Sequence, residues 1–312
     1  MGGFFGVVSK EDCVGDLFYG TDYHSHLGTK RGGMAVMDDK GIIMRRIHDI
    51  TNAQFRSKFD DDIDMFAGRC GIGIISDYED QPLIVSSKLG TYAIVTVGKV
   101  NNIEELAQEC FLSGLSHFSE LSGGELNPTE MVAALVNQKS NVVEGIKYAQ
   151  SKIDGSCSIL ILLDKKIYAA RDKLGRTAVI LGEKNGSNAV TMETTALPNL
   201  DYKYKHDLGP GEIVEIQADK IIQKQAPGER MQICAFLWVY YGYPSSCYHG
   251  INTELVRYRN GEMMAACEGE LDIDSVCGIP DSGVAHAVGF ANAYGKPYQR
   301  AFVKYTPTWP RS

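Results

Sequence analysis

A short loop near the end of the chain combines residue types that suit an anion. The run Pro-Asp-Ser-Gly places Asp281, Ser282 and Gly283 between a predicted strand and a predicted helix. Backbone N–H groups at the start of a helix bind negatively charged groups. Further along, Lys304 and Arg311 add two positive charges. Because Asp-Ser-Gly is also a common turn, the motif by itself is a weak signal for an anion site.

Two histidines stand close together in the sequence and suggest a metal or anion site. His24 and His26 are two residues apart, with Lys30 and Arg31 nearby. No third ligand follows at a recognisable spacing, so we predict a structural role for this pair.

The eight cysteines are spread along the chain, and none forms a Cys-x-x-Cys pair. In a chain of this length, the pattern favours buried, reduced thiols of a cytoplasmic protein over disulfides or a metal centre.

The composition sets limits on the class of protein. The 312 residues are 44% hydrophobic and 22% charged, which is typical of a folded globular protein. The formal net charge of -8 gives no basic surface for nucleic acid. We find no apolar run long enough to span a membrane and no signal peptide, so neither a membrane nor a nucleic acid is an expected partner.

The elements that position these residues follow from hydrophobic patterning. Apolar, β-branched runs predict strands, and capping residues followed by apolar spacing predict helices. Asn102 and Asn127 are the predicted caps of two of these helices. A polar stretch containing Pro and Gly, residues 226–230, is the predicted linker between a domain over 1–229 and a domain over 230–312. The predicted strands of the first domain lie at 3–8, 71–76, 92–97, 158–163 and 167–170, and its predicted helices at 103–113, 128–138 and 141–152.

The second domain has a different pattern, in which strands and helices alternate. Helices are predicted at 252–267 and 284–294, and strands at 276–279 and 299–304. This order predicts an incomplete parallel α/β unit, with the Pro-Asp-Ser-Gly loop between its first strand and second helix.

Several segments together resemble one family. Residues 158–181 contain Ala-Ala-Arg-Asp and Leu-Gly-Arg between strands, 193–197 read Glu-Thr-Thr-Ala-Leu, and 207–214 read Asp-Leu-Gly-Pro-Gly-Glu-Ile-Val. In this order, they resemble the amidophosphoribosyltransferases. Residues 1–7, Met-Gly-Gly-Phe-Phe-Gly-Val, resemble the start of the N-terminal-nucleophile class II glutamine amidotransferases. The resemblance implies a four-layer αββα domain followed by a partial phosphoribosyltransferase-like domain.

The positions that match the family's glutaminase site carry different residues. Gly2 stands where the family has its nucleophilic Cys, and Ser76 lies in the stretch that matches a carboxylate-binding Arg. Val97 replaces the oxyanion Asn beside a retained Gly98, and Pro128 replaces an amine-binding Asp. Since nucleophile and oxyanion donor are both needed for amide hydrolysis, we predict that no intact glutaminase site remains.

The resemblance also implies ligands for the second domain. The loop with Asp281, Ser282, Gly283, Lys304 and Arg311 matches the pyrophosphate side of a phosphoribosylpyrophosphate site. The family's acidic motif, which works with Mg²⁺, is absent, so this chain is expected to bind no cofactor alone and Mg²⁺ only in a full-length form.

One cysteine of this region matches a cluster ligand of the family. Cys234 aligns with one of four iron–sulfur ligands, and a single Cys cannot hold a cluster. We therefore do not expect an iron–sulfur cluster. The missing strands of the second domain should leave apolar surface exposed or covered by another subunit, so we expect a homo-oligomer.

Three functions remain open from the sequence. The first is an amidophosphoribosyltransferase-like protein of purine biosynthesis, and the second is a non-catalytic regulatory or binding protein on the same scaffold. The third is a glutaminase with a relocated nucleophile, such as Cys70 or Cys157. We disfavour it because neither residue has the free α-amine that activates a terminal Cys.

Overall fold

The computed structural model describes residues 2–115, 117–119, 121–122 and 124–304. In this part of the chain, two compact units separate: the first spans 2–192 and 196–233, and the second spans 193–195 and 234–304. The predicted domain boundary after residue 229 falls a few residues before the division at 233. Both units contain predicted site residues.

The strands are short to medium in length and most belong to the first unit. They are β1 (Gly3–Ser9), β2 (Arg31–Met37), β3 (Ile43–Asp49), β4 (Cys70–Ser76), β5 (Leu83–Ser87), β6 (Gly90–Val100), β7 (Leu121–Ser122), β8 (Glu125–Leu126), β9 (Gly155–Leu163), β10 (Lys166–Ala170), β11 (Ile180–Lys184), β12 (Ser187–Thr191), β13 (Lys203–Asp207), β14 (Ile213–Ile216), β15 (Ile221–Gln225), β16 (Cys247–Tyr248) and β17 (Ile251–Asn252).

The helices lie outside the sheets. They are α1 (Val14–Asp22), α2 (Phe55–Phe59), α3 (Ile103–Leu112), α4 (Pro128–Val136), α5 (Val142–Lys152), α6 (Ala196–Asn199), α7 (Thr253–Cys267) and α8 (Gly283–Tyr294), with a 3-10 turn at Ile63–Met65 and a π-helical turn at Leu237–Tyr241. Among the described residues, no helix is long and apolar enough to cross a membrane.

Two antiparallel sheets form the centre of the first unit. The seven-stranded sheet has the order β13-β11-β12-β1-β4-β2-β3, and the six-stranded sheet has the order β15-β14-β10-β9-β6-β5. The five predicted strands lie in β1, β4, β6, β9 and β10, which confirms those predictions.

Apolar side chains fill the space between the two sheets and the space outside the six-stranded sheet. Phe4, Ile72 and Leu160 belong to the core between the sheets. Tyr92 and Ile94 of β6 pack instead against Met131 and Val132 of α4, in the second core. With α1 on the outer face of the seven-stranded sheet, where Gly73 of β4 closely approaches Thr21, the unit has the predicted αββα layers.

Helix α1 was not predicted, although its pattern is present in the sequence. Val14, Leu17, Phe18 and Thr21 are buried at the spacing of one helical face. Gly20 interrupts this face, but a Cβ atom there would lie 2.4 Å from the Phe5 ring. The glycine therefore serves close packing of α1 on β1, and tertiary contact outweighs its low helix propensity.

The predicted cap of α3 is wrong. Asn102 makes no side-chain cap hydrogen bond; its amide donates to Lys152 O at 3.0 Å and its Oδ1 accepts from Asp154 N at 2.9 Å. Asn102 therefore ties the start of α3 to the end of α5. In contrast, Asn127 caps α4 as predicted, because its Oδ1 accepts from Thr129 N at 2.8 Å.

In the second unit, the two helices form as predicted, but the strands predicted at 276–279 and 299–304 are both wrong, since neither range forms a strand. The parallel pairing consists of one isolated bridge between Val276 and Tyr298. Phe302 and Val303 are 51% and 72% exposed. An apolar run becomes a strand when neighbouring strands pair with it, and the described residues supply no such neighbour here.

Helices α7 and α8 instead pack directly on each other. A Cβ atom on Gly261 would lie 1.9 Å from His286 O, and one on Gly289 would lie 2.0 Å from Tyr258 O. The two glycines therefore allow backbone-to-backbone approach that no larger residue permits at this distance.

Candidate functional site

The start of β1 is buried and has no room for a side chain at position 2. The register pairs Gly3 with Ile75 of β4, so Gly2 lies beside the end of that strand. A Cβ atom on Gly2 would lie 2.5 Å from the Ile75 carbonyl oxygen. This distance is closer than van der Waals contact, and the obstacle is backbone. The position thus lacks a nucleophile and, in this geometry, excludes one.

His24 packs against β1 at the neighbouring residue, Gly3. A Cβ atom on Gly3 would lie 2.8 Å from His24 Cβ. His24 is fully buried, with Nδ1 2.8 Å from Gly20 O and Nε2 3.0 Å from Thr191 Oγ1. Both ring nitrogens contact structural partners, which agrees with the predicted structural role.

Ser76 ends β4 in a tight turn. Its hydroxyl donates to Glu79 Oε2 at 2.9 Å and accepts from Tyr78 N at 3.2 Å and Glu79 N at 3.0 Å. No cationic side chain therefore projects from this position. Arg69 lies before the opposite end of β4 and approaches Asp39 at 3.5 Å.

The sequence prediction missed a guanidinium next to Ser76. Arg31 of β2 pairs in register with Ser76, and its guanidinium bonds Asp80 at 2.8 Å and also Asp49. Partial burial acts to lower the pKa of Arg31, but the hydrogen bonds and charges of the two carboxylates outweigh it and raise the pKa. The Nε and Nη1 groups of this cation are thus paired with two carboxylates of the same chain, which balance its charge.

The carboxylate of Asp49 is held ionised in this cluster. Hydrogen bonds from Thr51, together with Arg31, lower the pKa of Asp49 to about 2. The sequence contains Arg31, Asp49 and Asp80, but their spacing alone did not predict that the three side chains pair.

Of the two residues at the predicted oxyanion position, Val97 lies inside the core and Gly98 is exposed. Val97 is 4% exposed and packs between the two sheets. A Cβ atom on the neighbouring Gly98 would lie 1.8 Å from Ser156 O, because β6 pairs closely with β9 there. Gly98 therefore serves strand pairing, and Val97 offers no hydrogen-bond donor.

Hydrogen bonds connect segment 77–82 to Ser122 of β7 and to Asn127, the N-cap residue of α4. The Tyr78 hydroxyl donates to Ser122 O at 2.6 Å, and Asp80 N donates to Ser122 Oγ at 3.4 Å. The Asn127 amide donates to Asp80 O at 3.1 Å and to Ser122 Oγ at 3.2 Å. Ser122 and Asn127 are almost fully buried, and the bond between their side chains is shielded from water.

Gln81 completes this attachment. Its amide makes two bonds to the backbone of β6: Nε2 donates to Thr96 O at 3.1 Å, and Oε1 accepts from Thr96 N at 2.7 Å. The Thr96 hydroxyl lies 2.6 Å from Thr129 Oγ1, next to Pro128. Buried polar groups between segment 77–82 and α4 are thus bonded to each other.

The two cysteines considered as relocated nucleophiles are buried. Desolvation raises the pKa of Cys70 to about 12 and raises that of Cys157 further. Both thiols are therefore protonated near neutral pH, and a protonated thiol is a poor nucleophile.

A cavity of about 330 Å³ lies near the other end of β1, lined by Val8 and Ser9 together with Arg69, Lys165 and Asp219. β1 runs from Gly3 to Ser9 in extended conformation, so this cavity is roughly 20 Å from Gly2. It does not contribute to the predicted glutaminase position.

In the second unit, the structure brings two predicted anion-site residues together. Lys304 Nζ lies 2.9 Å from Asp281 Oδ2. Helix α8 begins at Gly283 after Ser282, whose side chain makes no cap hydrogen bond. The peptide bond between Pro280 and Asp281 is cis. Arg311 lies outside the described residues.

The second unit contains Cys234, which is partly buried and unbonded to another cysteine. Within the described ranges, no group of three or more His, Cys, Asp or Glu side chains is placed to hold a metal ion. The predictions about Mg²⁺ and the iron–sulfur cluster therefore stay predictions.

Comparison with known proteins identifies similar chains. Residues 68–199 match a family described as "Glutamine amidotransferase domain". The amidophosphoribosyltransferase of Methanocaldococcus jannaschii is 29% identical over 97% of this chain and 69% of its own length. The chain thus spans about two thirds of the length of such a relative.

Solved structures show the same fold. The glutamine phosphoribosylpyrophosphate amidotransferase of Bacillus subtilis, complexed with ADP and GMP, has a TM-score of 0.87 and 24% identity, covering 99% of this chain and 69% of that chain. A structure described as the allosteric regulatory enzyme of purine biosynthesis has a TM-score of 0.86, also at 24% identity, and covers 99% of this chain and 68% of its own.

Proposed function

We propose that the chain belongs to the amidophosphoribosyltransferase family of purine biosynthesis and is a member whose glutaminase domain has become a structural scaffold. In this proposal, the intact protein aminates phosphoribosylpyrophosphate with an amine that does not come from glutamine, free ammonia being the simplest. Ammonia would replace pyrophosphate at the ribose carbon that carries it, and pyrophosphate would leave.

One observation carries the proposal. Gly2 has no side chain, and a Cβ atom there would lie 2.5 Å from Ile75 O. A terminal nucleophile is thus absent, and its position is filled by backbone. Loss of the nucleophile removes the covalent step through which amide hydrolysis proceeds in N-terminal-nucleophile enzymes.

Three further positions support the same proposal. Ser76 is engaged in its own turn, Val97 is in the core, and Pro128 begins α4 without a carboxylate. Losing one oxyanion donor alone lowers the rate by roughly 10²–10³ in a working hydrolase. Because several contacts are missing together, restoring one residue should not restore activity.

The phosphoribosyl half supports the ligand class. Lys304 and the loop of Asp281, Ser282 and Gly283 lie together at the start of α8, and a helix N-terminus with a lysine suits a pyrophosphate. The intact protein would bind phosphoribosylpyrophosphate with Mg²⁺ carried on its phosphates. We also propose self-association, because Met263 and Ile279 in this unit are 68% and 72% exposed.

The amination proposal is tested by pyrophosphate release from phosphoribosylpyrophosphate, ammonia and Mg²⁺. We expect no release by this chain alone, since the described residues include no group of three or more His, Cys, Asp or Glu side chains placed to hold a metal ion. A version extended to the full length of its relatives should release pyrophosphate with ammonia and not with glutamine. Release with glutamine, or none with either amine, would contradict the proposal.

A second candidate is a non-catalytic binding or regulatory protein on the same scaffold. The attachment of segment 77–82 to Ser122, Asn127 and Thr96 favours it, because polar groups there are already bonded internally. The extended version separates the two functions: Mg²⁺-dependent turnover supports the enzyme, and phosphoribosylpyrophosphate binding without turnover supports the regulator.

A further inference from the structure

The loop before α8 carries a positive and a negative side chain that neutralise each other. Lys304 Nζ and Asp281 Oδ2 are 2.9 Å apart, and the two side chains are 38% and 65% exposed. Among the residues that the structure describes, Asp281 is the one charged partner of this lysine. The cation best placed to meet an anion at this loop is therefore already paired with a carboxylate of the loop itself.

Two backbone donors of the loop are also used within it. Gly283 N donates to Ile279 O at 3.0 Å, and Val284 N donates to Asp281 O at 3.3 Å. The N–H groups at a helix start are the groups that would otherwise bind an anion. Two of the N–H groups that could bind an anion are thus already hydrogen-bonded within the loop.

We propose that Asp281 is an intramolecular competitor of the anion and keeps Lys304 from pyrophosphate until the ligand displaces it. This inference rests on the proposed function and concerns the regulation of the same site. It changes the role of Asp281, which the sequence resemblance assigned to substrate binding. The occupant that competes with Asp281 is a pyrophosphate group, free or as part of a phosphoribosyl ligand.

The magnitude of the competition follows from exposure. An exposed ion pair is weak, so a ligand with several negative charges can displace one carboxylate. Removing the carboxylate should therefore tighten pyrophosphate binding about two- to fivefold. The gain should shrink as ionic strength rises, because salt screens exposed charges.

The test measures the Kd of inorganic pyrophosphate by calorimetry on the whole chain. Asp281→Asn should bind about two- to fivefold tighter than the matched control Asp272→Asn. Asp272 is an exposed residue of the same unit, so both variants lose one negative charge. Lys304→Gln should bind more weakly than the unmodified chain, and adding Asp281→Asn to it should give a smaller gain than in the chain with Lys304.

Each result decides the inference. If Asp281→Asn and Asp272→Asn bind equally, or if Asp281→Asn tightens binding equally with and without Lys304, the competition through the ion pair is wrong and the loop remains an anion site. If no version binds pyrophosphate, the anion site of the proposed function is itself wrong, and the competition falls with it. Circular dichroism of each variant confirms that the compared proteins are folded.

Discussion

Position 2 lacks a nucleophilic side chain and also lacks the space for one. The site lies against the backbone of β4, so any side chain at Gly2 must move Ile75. The sequence predicted the missing Cys from its type alone. It could not predict the obstacle, because that depends on how closely β1 and β4 approach.

We expect Gly2→Cys to release no ammonia from glutamine. Gly2→Ala is the matched control, since it adds the same Cβ atom without a thiol. Both variants should lose about 1–3 kcal/mol of unfolding free energy, because the added atom overpacks a buried backbone contact. The measurements are a glutaminase assay and denaturant unfolding. Hydrolysis by Gly2→Cys but not by Gly2→Ala would show that the remaining contacts are functional.

At the scale of elements, the apolar sequence pattern predicted strands correctly where each strand has neighbours in a sheet. β1, β4, β6, β9 and β10 were predicted because both of their faces are covered, which requires continuous apolar runs. The run at 299–304 is apolar only at Ala301, Phe302 and Val303, and it lacks partners among the described residues. Element type therefore depended on pairing, which a local pattern does not contain.

Contacts between elements also explain the residues that were misassigned. Asn102 has the right type and position for a cap, yet it bonds the chain near Lys152 instead. The contact of Tyr78 with Ser122 was not predicted, because the two residues are 44 positions apart in the sequence. Only the folded backbone shows that these residues meet.

The attachment of segment 77–82 gives a prediction about its motion. Tyr78→Phe removes the hydroxyl that donates to Ser122 O at 2.6 Å. Amide hydrogen exchange in 77–82 should become faster, while exchange in β9 stays unchanged, because local opening follows loss of local bonds. Unchanged exchange in 77–82 would mean that the remaining bonds alone hold the segment.

The crossing of α7 and α8 gives a second prediction at this scale. Gly289→Ala should destabilise the second unit by about 1–3 kcal/mol, because the new methyl would overlap Tyr258 O. Gly269→Ala is the control, since no atom lies within 4 Å of a Cβ there. Thermal unfolding compares the two variants. Equal stability would show that the helices can separate without cost.

At the scale of the whole molecule, the family could be predicted from the sequence and the fate of its site only in part. Glycine, valine and proline at three key positions predicted that substrate contacts are lost. The structure adds that those places are filled by backbone, by core packing and by a helix start. What occupies these positions depends on contacts between residues far apart in the sequence, so a local motif does not predict it.

The central claim is that this scaffold no longer binds or hydrolyses glutamine, and calorimetric titration of the unmodified chain with glutamine tests it most directly. We predict no binding heat up to millimolar glutamine, because Gly2, Ser76, Val97 and Pro128 offer neither a nucleophile nor the matching substrate contacts. Saturable binding at micromolar concentration would contradict the account.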